Sequence, residues 1–448
     1  VVQRGHVRHA GIHVHRAHRV ADGLGLLDDA QLRLVVFEAT RIHGLAGRDH
    51  EPALVGGVSI GALVFDVVFV TFNFLRAGTT GFVAQAHGAG DRREVTATFY
   101  RALIMALAVG LAVVILEGAL LAASLAVIGG SDAVQAATAD YWRVRVLATP
   151  FALANYVVLG WLIGVGRAGY GLFLQTVLNG VNIVLSILLV NELRLGVAGV
   201  GWASFAAETA TALLGVAIVW RLMRETARPE RARILDRGAF LRMIAVNRDI
   251  MIRSFTLLFA FGFFTAQSAA AGDVVLAANE ILLNLTMVGA FFLDGLAAAA
   301  EQLAGRAIGA RYRPAFERAL TLVIGWGFAV GGAVSLFFLA AGTLLIDLMT
   351  TSAAVRAAGR AFLPFAALVP VAGTLAYQMD GVFIGATWSV DMRNMMLISL
   401  AVYLLTFAVL TPVLGIAGLW IALLVFVGAR GASLYWRARR RVATAFPA

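Results

Sequence analysis

Cysteine is absent from the 448 residues, which excludes disulfides, thiol catalysis and cysteine-held metal centres. Charge is scarce: Asp, Glu, Lys and Arg make up 14% of the chain, unlike any soluble domain. Histidine almost vanishes after residue 50, where His87 alone remains. No Walker A string and no HExxH occur, so nucleotide hydrolysis and zinc proteolysis lack support. A GxSxG string at Gly57, Ser59 and Gly61 has the spacing of a nucleophile elbow, but it lies inside an apolar run rather than at a strand-to-helix turn.

Apolar sequence fills the space left by those absences. Hydrophobic residues make up 60% of the chain, and the mean hydropathy is +0.84. About 20 apolar residues cross a bilayer as a helix, and runs of that length recur from Ala53 almost to the C-terminus. The expected class is therefore an all-α polytopic membrane protein. Spans are expected at about 53–75, 102–128, 146–166, 172–190, 196–220, 254–272, 274–300, 320–345, 362–386, 395–411 and 415–427. Pro150 marks a kink candidate, because proline inside a span leaves backbone groups in need of another partner. The net charge of +10 could suggest nucleic acid, but the arginines gather in loops between spans. That is the positive-inside pattern, and no nucleic-acid partner is expected. Nine arginines lie between Arg221 and Arg253, which reads as a cytoplasmic linker, about 225–250, between an N-lobe at 51–224 and a C-lobe at 251–441. The tail, 442–448, is cytoplasmic on the same argument.

The chain repeats itself at an offset of about 220 residues. Ala86, Gly88 and Ala89 fall on Ala307, Gly309 and Ala310, while Tyr156, Gly160 and Gly164 fall on Tyr377, Gly381 and Gly385. LGVAG at Leu195–Gly199 echoes LGIAG at Leu414–Gly418. Small residues four apart permit close helix packing, which explains the glycines but not their register. Two pseudo-symmetric six-helix lobes follow, as in transporters built from internal repeats. The repeat requires a first helix near 33–51, where the chain instead carries Arg33, Glu38, Arg41, Arg48 and Asp49. Residues 1–50, with seven of the eight histidines, are read as an aberrant segment in place of that helix, for example a shifted reading frame upstream of Glu51. Metal binding by this tract is the sharper alternative, but its histidines match no recognised ligand spacing, and no metal site is expected.

Acids stand inside the apolar runs. Asp294 and Glu301 are seven residues apart, two helical turns, so both lie on one face. A lipid-facing carboxylate at mid-membrane costs about 3 kcal/mol on insertion scales, so this face should look at protein or at a water-filled cavity. The repeat places Asn73 on Asp294, which gives both lobes a polar group at one depth. Buried carboxylates are pushed towards neutrality by desolvation and towards charge by a nearby cation, which lets them take up and release ions as access changes. Asp294, Glu301 and Asp380 are the cation-coupling candidates. Arginine keeps its proton in such a site, so Arg76 and Arg253 are cast as ion-pair partners, Arg253 as a structural one. Gln267 and Glu208 complete the internal polar set with Arg76 and Asn73. Tyr156, Trp161 and Tyr377 could face a cation in a cavity, or serve as ordinary packing and interfacial anchors.

Five runs, FNFLRAGTTGFVAQAHGAGD, TPFALANYVVLGWLIGVGRA, NRDIMIRS, FFLDGLAAAAEQLAGRAIGA and DGVFIGATWSVDMRN, together resemble the multidrug and toxic compound extrusion (MATE) family, in the branch of the DNA-damage-inducible protein F. The resemblance runs from about Glu51 to Arg441. It implies twelve helices in two lobes around a central cavity, and export of mostly cationic or amphipathic compounds in exchange for protons or sodium ions. Asp380 matches the acid that the family places in its tenth helix for cation coupling. In the fifth helix Asn182 matches the family's asparagine, Ser186 replaces the acid four residues later, and Ser204 resembles the hydroxyl partner in the next helix. The first-helix aspartate of the family has no counterpart here.

The expected function is a secondary active efflux transporter, a cation-coupled antiporter using alternating access, with substrate candidates Asn73, Arg76, Tyr156, Asn182, Ser204, Gln267 and Tyr377. The coupling ion is a proton or sodium, and no further cofactor is expected. The partners are small-molecule substrates and the lipid bilayer, and the expected state is a monomer in the cell inner membrane. A lipid-linked precursor flippase of related architecture is the nearest alternative, favoured by a basic cavity with paired arginines. An intramembrane hydrolase at Ser59 is the alternative from another class.

Overall fold

A backbone surrounded by hydrocarbon must satisfy its own N–H and C=O groups, and a helix does so within one segment. The computed structural model describes residues 71–128, 132–193, 195–224 and 229–446. Readings that fall on residues 1–50, on Ser59 and on the first expected span up to residue 70 lie outside these residues, while the end of that span, Phe74 and Leu75, opens the first helix below. The helices are α1 Phe74–Gly88, α2 Arg92–Ile115, α3 Glu117–Ile128, α4 Asp132–Arg145, α5 Thr149–Gly164, α6 Ala168–Ile187 and α7 Gly196–Met223 in the first half. A short α8, Arg231–Ile234, precedes α9 Arg237–Ala270, α10 Asp273–Gly309, α11 Arg313–Met349, α12 Ala353–Gly385, α13 Ser389–Leu414 and α14 Ile416–Ala445. Among the described residues, 10 helical segments are long and apolar enough to cross a membrane.

Several expected boundaries move, and at helix ends the reason is that charge near the membrane surface does not stop a helix. α2 begins at Arg92, ten residues before the expected span, with Asp91 as its cap accepting from the Glu94 amide at 3.0 Å. α9 starts at Arg237, inside the expected linker, and α14 runs through the basic tail to Ala445. In place of the kink expected at Pro150 there is a 3₁₀ turn, Val146–Ala148, with the proline in the first turn of α5 where no amide is lost. Pro370 inside α12 disturbs the helix ladder, and the neighbouring Val371 amide donates instead to Ser335 Oγ on α11 at 3.2 Å.

The repeated glycines seat equivalent helix crossings in the two halves. A Cβ on Gly160 of α5 would meet the Arg76 carbonyl on α1, and one on Gly381 of α12 would meet the Ala297 carbonyl on α10. Their shared register therefore reflects two copies of one crossing. Gly88 and Gly309, also repeat equivalents, do a different job. Gly88 abuts the Arg306 backbone and Gly309 abuts the Gln85 backbone, so α1 and α10 touch each other across the two halves. Gln85 Nε2 strengthens this seam by donating to the Gly385 carbonyl at 2.9 Å and to Thr387 Oγ1 at 3.0 Å. One apolar core continues through it, from Phe99, Trp142 and Trp161 to Ala304, Val382 and Phe383, while a second, around Phe264, Tyr403, Trp420 and Phe426, belongs to the C-terminal half. The halves thus close at the end beside the turns at 89–91 and 310–312.

Candidate functional site

Above that seam, five helices direct charged side chains towards one another. Asp380, on α12 and 5% exposed, pairs through Oδ2 with Arg253 on α9 and with Arg430 on α14. Its Oδ1 is buried without a hydrogen-bond partner among the described residues. The Arg430 guanidinium carbon also stands 5.8 Å from the ring centroid of Tyr377, one turn before Asp380. On α10, Glu301 is buried at 3% exposure and accepts a fork from Arg76 on α1, Nη1 to Oε2 at 3.1 Å and Nη2 to Oε1 at 3.3 Å. Arg76 Nε donates to Asn73 Oδ1 at 3.0 Å. Asp294, two turns from Glu301 and further from the closed seam, is exposed, yet it interacts electrostatically with Arg253, Arg76, Asp380 and Arg430. Of these four, Asp380 and Arg430 are buried and Arg76 and Arg253 partly buried, so the exposed Asp294 stands at the edge of one charged cluster.

The site holds three acids and three arginines, so it is close to neutral as a whole. Chemically it can exchange partners: a cation or proton arriving at a carboxylate must compete with an arginine already there. The predicted coupling acids Asp294, Glu301 and Asp380 are therefore brought together, with Arg76, Asn73, Arg253 and Tyr377 beside them. Tyr156 also interacts electrostatically with Arg76. Asn182 and Ser204 lie apart from this group, joined to each other by a 2.9 Å hydrogen bond from Asn182 Nδ2, with Ser186 Oγ donating to Asn182 Oδ1 at 3.5 Å. Gln267 is not part of the cluster. It sits about four turns along α9 from Arg253, roughly 21 Å, near the far end of the helix. Trp161 packs in the core against Phe99 and donates to the Val95 carbonyl at 3.3 Å.

Sequence reasoning missed Arg430, because the last span was ended at Val427. The signal was present: VFVGARGASLYW carries a single arginine between apolar turns, and an intramembrane arginine demands a partner. Glu208 was noted only as polar, without Asn155 and Arg145, which meet it in the fold.

Comparison with known proteins agrees with this architecture. The MatE family model matches residues 45–188 and 250–413. The chain is 36% identical to the DNA damage-inducible protein F of Escherichia coli, over 90% of this chain and 88% of that protein. It is 28% identical to a probable multidrug resistance protein NorM of Caulobacter vibrioides, over 81% of this chain and 76% of that one. Among solved structures, MATE in the bent conformation aligns with a TM-score of 0.82 at 20% identity, covering 97% of this chain and 95% of that chain. An outward-facing multidrug resistance MATE transporter of the MOP superfamily aligns at 0.77 and 20%, covering 96% of each chain. Two membrane-spanning halves with repeated helix crossings, and a family model matching most of the length, lead to one conclusion: this chain is a multi-pass membrane protein of the MATE family of transporters.

Proposed function

We propose that the chain is a cation-coupled exporter of amphipathic or cationic small molecules that works by alternating access between its two lobes. The observation that carries this reading is the cluster of Asp294, Glu301 and Asp380 with Arg76, Arg253 and Arg430 next to the seam where the lobes meet. Arg76 belongs to the first lobe and Glu301 to the second, so their fork is a charge lock across the interface. A proton on Glu301 removes the attraction that holds Arg76, and a buried arginine left unpaired weakens the closed end by about 3–5 kcal/mol. Asp380 couples in the same way, since a proton or sodium ion reaching it must displace Arg253 or Arg430. Ion entry and lobe opening are thereby one event, and the ion gradient gives the cycle its direction.

The arginine-rich turns beside the seam, the linker and the basic end of α14 are assigned to the cytoplasm. The closed end is then the inner one, and Asp294, further from the seam, lies towards the outer side. The protein acts as a monomer in the cell membrane, and the names of its relatives point to drugs as substrates. A flippase for a lipid-linked anion would use the arginine pair at Asp380, the feature that favours it, but here three carboxylates balance the three arginines.

The test is ethidium/proton exchange in inverted vesicles, with and without sodium, comparing the parent with Asp380→Asn. Ethidium should dissipate the pH gradient in parent vesicles, or do so only with sodium if sodium is the coupling ion. The variant should fall to the background of empty vesicles. Undiminished exchange in Asp380→Asn removes the role given to that acid, and no exchange in the parent with either ion removes the antiport reading.

A further inference from the structure

The first lobe contains its own buried acid, which the exchange described above does not use. Glu208 lies near the middle of α7, with its side chain 13% exposed. Asn155 Nδ2 on α5 donates to Glu208 Oε2 at 2.7 Å and to the Glu208 backbone carbonyl at 3.1 Å. Arg145, at the end of α4, holds Nη2 3.7 Å from Oε1, near enough for attraction but too far for a hydrogen bond. Ser204, one turn earlier on the same face, receives the hydrogen bond from Asn182 of α6. Thr211 follows Glu208 by three residues on that face. It is 2% exposed, and its hydroxyl has no hydrogen-bond partner among the described residues, nor does the buried Asn155 Oδ1. A polar strip thus runs through the interior of the lobe with spare acceptors beside a carboxylate.

The repeat sharpens the comparison. The offset that lays Tyr156 on Tyr377 makes α5 the counterpart of α12, and the LGVAG and LGIAG segments make α7 the counterpart of α14. In the C-terminal lobe the acid Asp380 is on α12 and the base Arg430 on α14. In the N-terminal lobe the acid Glu208 is on α7, and the base Arg145 lies on the apolar segment, Val134–Gly164, that contains α5. Each lobe therefore ties the corresponding apolar segments together by charge, with the signs exchanged, although Arg145 stands on α4, before the 3₁₀ turn that leads into α5. The counterpart of Asp380 is Leu159, so the first lobe has moved its acid to the neighbouring helix.

We propose that Glu208 is a proton-binding site of the first lobe, an inference that rests on the exchange reading and gives it a second coupling acid. One proton from the aqueous phase joins a Glu208 oxygen, the carboxylate becomes a carboxylic acid, and its attraction to Arg145 ends while the Asn155 contact can persist. The charge tie between α7 and α4 is then released, while the packing of Gly201 against Val144 remains. The charged and titratable groups against Glu208 are Arg145 from α4, with Asn155 from α5 and Asn182 of α6 through Ser204 as the polar neighbours. The other α4 charges, Asp140 and Arg143, pair with each other at 3.9 Å on the surface, both about two-thirds exposed. A metal cation suits the site less than a proton, because the Arg145 charge already stands there.

Infrared difference spectra between mildly alkaline and mildly acid buffer read the protonated carboxyl band directly, without transport. The parent and Asp380→Asn should show a carboxylic C=O band that Glu208→Gln lacks, and ethidium efflux by Glu208→Gln should lose the parental pH dependence. A band unchanged in Glu208→Gln, or a parental pH profile, overturns the proposal. Should Glu208→Gln fail to reach the membrane, Glu208→Asp replaces it: the band must move to a new position, and an unmoved band overturns the proposal. Loss of the band in Glu208→Gln supports the site even where the parent exchanges no ethidium, in which case the exchange reading alone fails.

Discussion

Arg76 and Glu301 are each costly alone in their surroundings and tolerable only as a pair. Glu301→Gln or Arg76→Gln should each destabilise the protein by about 3–5 kcal/mol, because each leaves one buried charge uncompensated. The double variant should lose less than the sum of the two single losses, by a coupling of about 1–3 kcal/mol. Thermal unfolding in detergent checks it, and additive losses in the double variant would mean that the two side chains do not act together. These acids were legible in the sequence because carboxylates in apolar helices stand out one by one. Their partners were less so. Arg253 was expected to be an ion-pair partner, but pairing it with Asp380 required the fold, since 127 residues separate them. Arg430 was hidden by the arginines that follow it, which read as a solvated tail, and Arg145 by its position next to Pro150, which drew attention to the kink.

The helices themselves were mostly visible as apolar runs, whereas their ends were not. Hydropathy falls at the membrane surface, but intrahelical hydrogen bonding does not stop there, so α9 and α14 continue through arginine-rich sequence. α14 gains a further tie, with Arg437 and Arg441 one turn apart and both pairing with Asp391 of α13. The linker helix α8 is held similarly: Arg233 pairs with Asp91 and Glu94, and Arg101 donates to the Arg233 and Ile234 carbonyls at 3.1 and 3.2 Å. Partial desolvation opposes the charge on Asp91, but the Glu94 amide, Arg233 and the Arg93 amide hold its carboxyl below the ordinary aspartate range. A value lowered by folding means that the stabilisation is complete above the unfolded value of about 3.9 and is lost as pH falls through the folded one. Hydrogen exchange in α8 should therefore stay slow from neutral pH down to about 4 and quicken only below it. Quickening near neutrality would assign the clasp to another group. At the seam, Gly309→Ala should push α1 from α10 at a cost of about 1–3 kcal/mol, because the new Cβ meets backbone that cannot rotate away. Gly325→Ala, where nothing stands within 4 Å of a Cβ, serves as the control and should leave the melting temperature near that of the parent.

At the scale of the whole molecule, the internal repeat carried more information than any single motif. It gave two lobes, and it aligned the glycines that the structure places at equivalent crossings. It also aligned Gly88 with Gly309, although it could not show that these two glycines face each other across the lobes. That contact depends on how the lobes are set, and the register of one chain copy against another does not contain it. The central claim is that the lobes rock about this seam and that ion binding at the buried acids sets its state. Since the chain has no cysteine, Arg93→Cys and Tyr312→Cys place two spin labels without competing thiols, one beside each seam turn on exposed positions of opposite lobes. The measurement is the distance distribution between them in lipid nanodiscs as pH is lowered, in the parent and in Asp380→Asn. Our account predicts a short distance at alkaline pH, a longer population that grows on acidification as the inner end opens, and a weaker response to pH in Asp380→Asn, where Glu301 and Glu208 remain. A single distance, unchanged by pH in the parent and identical in the variant, would contradict it.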